Sequence, residues 1–186
     1  MSDFEFVFSL YSLLLSFSLV SLLTGLSRSL DAVVRKDAMK VGYLLPLLGA
    51  FVLLDLLSFW RAAWIVRESI VVDSRTLLAV ALFAAGYFLA ANLVFPERPD
   101  EEADLTDHYF RVRRIVMGLL LLLLICQLAY YATVPALAEL LRRPEALAWT
   151  VVLVALMLAT MAVRSKRLSA VLLTLLIGRY LYIYLA

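Results

Sequence analysis

A chain of 186 residues that is 65% hydrophobic and 17% charged, with mean hydropathy +0.96, lies far outside the soluble average of roughly 45 to 50% apolar and about 25% charged. That composition excludes a water-soluble domain and places the chain in a bilayer, with lipid as its first partner and no nucleic-acid partner expected. The net charge of +2 says less than its distribution, and the single cysteine, Cys126, excludes an intrachain disulfide or paired-thiol chemistry.

The amino terminus carries Asp3 and Glu5 ahead of the first apolar run and no Lys or Arg. It therefore lacks the basic start of a signal peptide, and the first span, about 6–28, is expected to be retained. This span is rich in hydroxyls and small residues: Ser9, Ser12, Ser16 and Ser27 share one helical face, and Ser18, Ser21, Gly25 and Ser29 share another. Small residues at this spacing let helices approach closely, so both stripes read as packing seams.

The second span, about 41–66, holds Asp55 well inside it and Arg61 near its end, between Trp60 and Trp64. A charge in hydrocarbon costs roughly 2.5 to 3.5 kcal/mol even on the mildest insertion scale, so Asp55 needs a partner or a wet pocket. Arg61 reads as a snorkelling interface anchor, or as a cation for anionic ligand groups. The third span, about 76–96, repeats the small-residue theme with Ala81 and Ala85, and with Gly86 and Ala90.

The longest connection is acidic first, from Glu97 to Asp107, and basic last, at Arg111, Arg113 and Arg114. With Arg35 and Lys36 these arginines are expected to hold anionic lipid headgroups. His108, the only histidine, reads as a solvated loop residue, and no metal site or cofactor is expected. A helix starting near Thr106 runs into the fourth span, about 112–134, where Gln127, Tyr130 and Tyr131 fall at helical spacing. An amphipathic piece at 135–143 should lie on the membrane surface, followed by a fifth span at about 146–164. The last span, about 168–186, carries Arg179.

The expected fold is therefore all-α, a single domain of six transmembrane helices. Arg28, Arg35, Lys36 and Lys40, the cluster near Arg111, and Arg164, Lys166 and Arg167 fall on one face, against Arg67, Arg75, Arg142 and Arg143 on the other. The positive-inside rule then puts both termini outside, which for a bacterial-type inner membrane is the periplasmic side. Trp60, Trp64, Trp149, Tyr130, Tyr131, Tyr182 and Tyr184 gather near the same outer ends, as interfacial aromatics do.

Depth links the two intramembrane charges. A rise of 1.5 Å per residue places Asp55 about 21 Å and Arg179 about 17 Å from the cytoplasmic ends of their spans, close enough in level for an ion pair. Gln127, Tyr130 and Arg61 would join them in one polar cluster in the outer half of the bundle. Three functions follow. The first is transport or conduction of an ion or small solute through that cluster. The second is a non-catalytic structural subunit of a larger membrane assembly, with a homo-oligomer or another membrane protein as partner. A lipid-modifying enzyme comes third, because the sequence offers no catalytic nucleophile with its base and no metal constellation.

Overall fold

The computed structural model describes residues 3–35, 42–67, 72–98 and 104–185. Within them the chain forms seven helices: α1 (Asp3–Arg35), α2 (Leu44–Ile65), α3 (Ser74–Val94), α4 (Leu105–Thr133), the short α5 (Pro135–Leu141), α6 (Pro144–Ala162) and α7 (Lys166–Leu185). All but α5 are long and apolar enough to cross a membrane, so the protein is a six-span helical bundle.

Each start has a local cause. The side chains of Asp73 and Asp104 accept the backbone N–H of Thr76 and Thr106 at 2.6 and 2.7 Å, capping α3 and α4. Pro135 and Pro144 open α5 and α6, where a missing N–H loses nothing and a fixed φ suits the first turn. Two helices outrun the apolar runs that signal them. α1 continues to Arg35 because no Gly or Pro interrupts 26–35, and Ser29 and Ala32 are buried. α4 begins at Leu105, which carries His108 into the helix as a buried residue rather than a solvated loop one.

The helices alternate in direction, which side-chain contacts at both ends establish. Phe4 at the start of α1 meets Trp64 at the end of α2, and Trp149 near the start of α6 meets Tyr182 near the end of α7. These contacts define a terminal face. At the opposite loop face Lys166, opening α7, lies 3.4 Å from Asp104, which caps α4.

Helix α2 is the hub, packing against α1, α3, α4 and α7. α1 also lies along α3, α3 along α4, and α6 leans on α4 and α7. Below Asp55 toward the loop face lies an apolar layer: Leu45, Leu48, Phe51 and Val52 of α2 pack in one core with Ala90, Ala91 and Val94 of α3 and Leu173 and Leu176 of α7, all buried. Lipid tails are as apolar as these side chains, so close packing is what holds such helices together. The small-residue stripe of α1 supplies part of it. A Cβ on Gly25 would stand 2.7 Å from Phe95, and one on Gly49 would stand 2.9 Å from the same ring, so the Phe95 side chain is wedged where α1 and α2 give it room. Ser21 of the same stripe donates to Asn92 of α3 at 2.7 Å. In the other stripe Ser9, Ser12 and Ser16 donate to carbonyls one turn back in their own helix, as Ser29 of the Gly25 stripe does to Gly25.

Candidate functional site

Asp55 is 3% exposed, at the junction of α2, α3 and α7. Both carboxylate oxygens are held by phenols: Tyr87 of α3 donates to Oδ2 at 2.6 Å, and Tyr180 of α7 donates to Oδ1. Hydroxyl donors to an ionised oxygen are among the stronger protein hydrogen bonds, and none of these groups could satisfy itself in hydrocarbon. Aromatic packing fixes the phenols. The Tyr87 ring meets Phe59 edge-on at 5.0 Å, and the Tyr180 ring lies 6.0 Å from Phe51. Phe51 and Phe59 sit one turn either side of Asp55, so α2 presents the carboxylate and both rings that orient its partners.

A third phenol comes from α1. Tyr11 is buried against α2, with its hydroxyl 3.4 Å from the Phe59 carbonyl oxygen and within electrostatic range of Asp55. Four helices thus converge on one acidic group.

The ion pair expected between Asp55 and Arg179 is not formed. Arg179 precedes Tyr180 on α7 and points to its other side, where Nε donates to the Trp149 carbonyl of α6 at 3.1 Å and the guanidinium lies 5.0 Å from the Tyr180 ring. The two charges remain electrostatic neighbours with the Tyr180 side chain between them. Equal depth was insufficient because consecutive residues on a helix point about 100° apart, and Tyr180, not Arg179, faces α2.

The other expected members of the cluster are dispersed. Gln127 donates to the Tyr131 hydroxyl at 3.0 Å within α4. Tyr130 turns outward and is half-exposed. Arg61 is exposed at the terminal face, with Tyr184 of α7 as its electrostatic neighbour. Tyr87 and Tyr11, which the sequence reading passed over, carried a findable signal. Counted from the terminal ends of their helices, Asp55 and Tyr87 lie about 15 and 20 Å deep, within reach of each other.

At the loop face the arginines divide. Arg113 is 2% exposed, and its Nη1 donates to the Val163 and Thr160 carbonyls at the end of α6, the latter at 3.2 Å, with Ser169 of α7 3.5 Å away. Its guanidinium also lies 4.6 Å from the Phe110 ring. This arginine is turned into the protein, away from the headgroups the sequence suggested. The last carbonyls of a helix lack intrahelical partners and carry partial negative charge, which draws a cation as lipid phosphate would. Arg114 follows suit from the exposed side, with Nε donating to the Met161 carbonyl at 3.2 Å. Arg111 is exposed, while Lys36 and the side chain of Arg35 lie outside the described residues. Among the described residues no group of three or more His, Cys, Asp or Glu side chains is placed to hold a metal ion.

Fold and site together define a polytopic α-helical membrane protein with a buried acidic centre at Asp55. No protein-family model, curated protein or solved structure matches the chain.

Proposed function

We propose that the protein transports a proton or small cation across the membrane, with Asp55 as the group that binds it. The observation that carries this reading is a buried carboxylate held by two phenols, with no basic side chain in contact among the described residues. If the group served packing alone, an apolar side chain of similar volume would join the three helices at least as well, since burying an acid without a counter-ion is costly. A carboxyl that takes up a proton or cation during its working cycle gives that cost a purpose. Hydroxyls of α3 and α7 on the acid, with the Tyr11 phenol of α1 packed nearby, support the same reading, because solute sites in helical bundles are built from facing side chains of several helices.

The positive-inside bias proposes a plasma membrane with the terminal face outward. In proteoliposomes the wild type is expected to carry proton or alkali-cation flux, and Asp55→Asn to abolish it. Absence of wild-type flux under imposed proton, sodium and potassium gradients would overturn the proposal.

A second reading, a structural subunit of a membrane assembly, draws on a different observation. The hydrogen-bonded pair Ser21–Asn92 lies on the outer surface of the bundle, where Asn92 is exposed one turn along α3 from the exposed Phe88 and Leu89. Exposed amides at such faces bind neighbouring helices. This reading requires that Asn92→Leu lower the oligomer mass in mild detergent while leaving any flux intact; an unchanged mass removes it.

A further inference from the structure

The surroundings of Asp55 are asymmetric along the membrane normal. Toward the terminal face, polar groups continue up the seam between α2 and α7. Ser58, one turn above Asp55, is partly exposed and donates to the Asp55 backbone carbonyl at 2.7 Å. Tyr184, one turn above Tyr180 on the same face of α7, is 37% exposed, with its hydroxyl 3.5 Å from the Leu54 carbonyl oxygen. Arg61 stands exposed at the top of α2, two turns above Leu54. Exposure rises step by step along this line. Toward the loop face the next turns of this seam are apolar, down to Ser169 of α7 beside Arg113. Phe51, Leu48 and Leu45 of α2 and Leu176 and Leu173 of α7 occupy the next turns, and all five are 0% exposed.

We propose that in this conformation Asp55 communicates with the terminal face only, through the α2–α7 seam lined by Ser58, Tyr180, Tyr184 and Arg61, and is sealed from the loop face by the leucine layer beneath it. The inference rests on the transport reading for its purpose but on geometry for its substance. The titratable and charged groups around the carboxyl fit one-sided access. Tyr11 from α1 and Tyr87 from α3 close it laterally, Gln127 and Tyr131 of α4 bond to each other, and the α7 groups Tyr180, Arg179 and Tyr184 are the ones that lead outward. Cargo enters where the cationic Arg61 marks the mouth. A proton suits such an entrance better than a metal cation, because it passes along hydroxyls without carrying a hydrated charge past a guanidinium. Release to the loop face then requires the α2–α7 contact at Leu48 and Leu173 to part.

Single-cysteine accessibility tests this in the full-length protein. The one native thiol, Cys126, is exposed on α4 and is first replaced by Ser. Ser58→Cys and Tyr184→Cys, in oriented vesicles, are expected to react with a membrane-impermeant methanethiosulfonate added at the terminal face. Leu48→Cys and Leu173→Cys should react from the loop face at least about tenfold more slowly, since a competing open state populated to 10% or less sets their rate. Elution as a monodisperse species in detergent identifies folded variants. Arg61→Cys, already at the surface, reports terminal-face reactivity whether or not the deeper variants fold. Rapid labelling of Leu48→Cys or Leu173→Cys from the loop face would overturn the seal. Failure of folded Ser58→Cys and Tyr184→Cys to react from the terminal face, while Arg61→Cys reacts, would overturn the seam. Flux and labelling separate the two proposals: the expected labelling without wild-type flux overturns transport and leaves one-sided access standing. Flux with loop-face labelling does the reverse.

Discussion

Two phenols hold the buried carboxyl of Asp55. Removing either hydroxyl leaves one oxygen of Asp55 buried and unpaired, so Tyr87→Phe and Tyr180→Phe should each destabilise the bundle by about 1 to 3 kcal/mol in detergent unfolding. Asp55→Leu alone leaves both phenols unpaired, and the triple change Asp55→Leu with Tyr87→Phe and Tyr180→Phe should recover most of that loss. A double-mutant cycle between Asp55 and Tyr180 is expected to give a favourable coupling of about 0.6 kcal/mol, the average for hydrogen bonds inside membranes, and at most about 1.7 kcal/mol. A coupling of zero would show that the bond contributes nothing. Because Arg179 bonds to Trp149 and not to Asp55, Arg179→Gln should couple to Asp55 more weakly than Tyr180→Phe does.

Between helices, contact distance and orphaned carbonyls set the energetics. Gly25 and Gly118 make a direct comparison. At Gly25 an added methyl meets the Cβ of Phe95 at 2.7 Å, too near the backbone for a rotamer change to relieve, whereas at Gly118 nothing lies within 4 Å. Gly25→Ala is therefore expected to destabilise by roughly 1 to 3 kcal/mol through overpacking. Gly118→Ala should be neutral or stabilising by up to about 1 kcal/mol, the helix-propensity gain. Arg113 ties the start of α4 to the end of α6, and Arg113→Met would keep the bulk and strip the donors. The orphaned carbonyls should then cost about 1 to 3 kcal/mol, with faster hydrogen exchange at the α6–α7 junction as the local signature.

Across the whole molecule, acid sensitivity has a defined source outside the spans. Cap bonds from Thr76 hold the Asp73 carboxyl below the usual carboxylate range, and those from Thr106, helped by Lys166, do the same for Asp104. A folded-state value lowered in this way means the stabilisation is complete above the unfolded value, about 3.9, and is lost as pH falls through the lower folded value. Unfolding midpoints in detergent should therefore carry the full, pH-independent contribution of these caps between pH 5 and 7 and lose it below about pH 4. Asp73→Asn with Asp104→Asn keeps competent caps and should shrink that acid limb. An unchanged limb would assign it elsewhere.

Six apolar helices were legible in the sequence because the bilayer imposes one-dimensional rules of length and apolarity, although α1 and α4 run past the limits of their apolar runs. Asp55 was legible for the same reason, since a carboxylate in an apolar run needs no third dimension to stand out. Its partners were not. Arg179 satisfied depth and charge, yet the neighbouring Tyr180 faces Asp55, because rotation about a helix axis is fixed by which side of α7 packs on α2. Arg113 likewise carried the charge of a headgroup anchor, and only the arrival of the α6 terminus beside it turned its guanidinium inward. Residue chemistry along the chain dictates which side chains must find partners in the membrane. The tertiary structure alone decided which partners they found, because azimuth and helix adjacency are properties of packing.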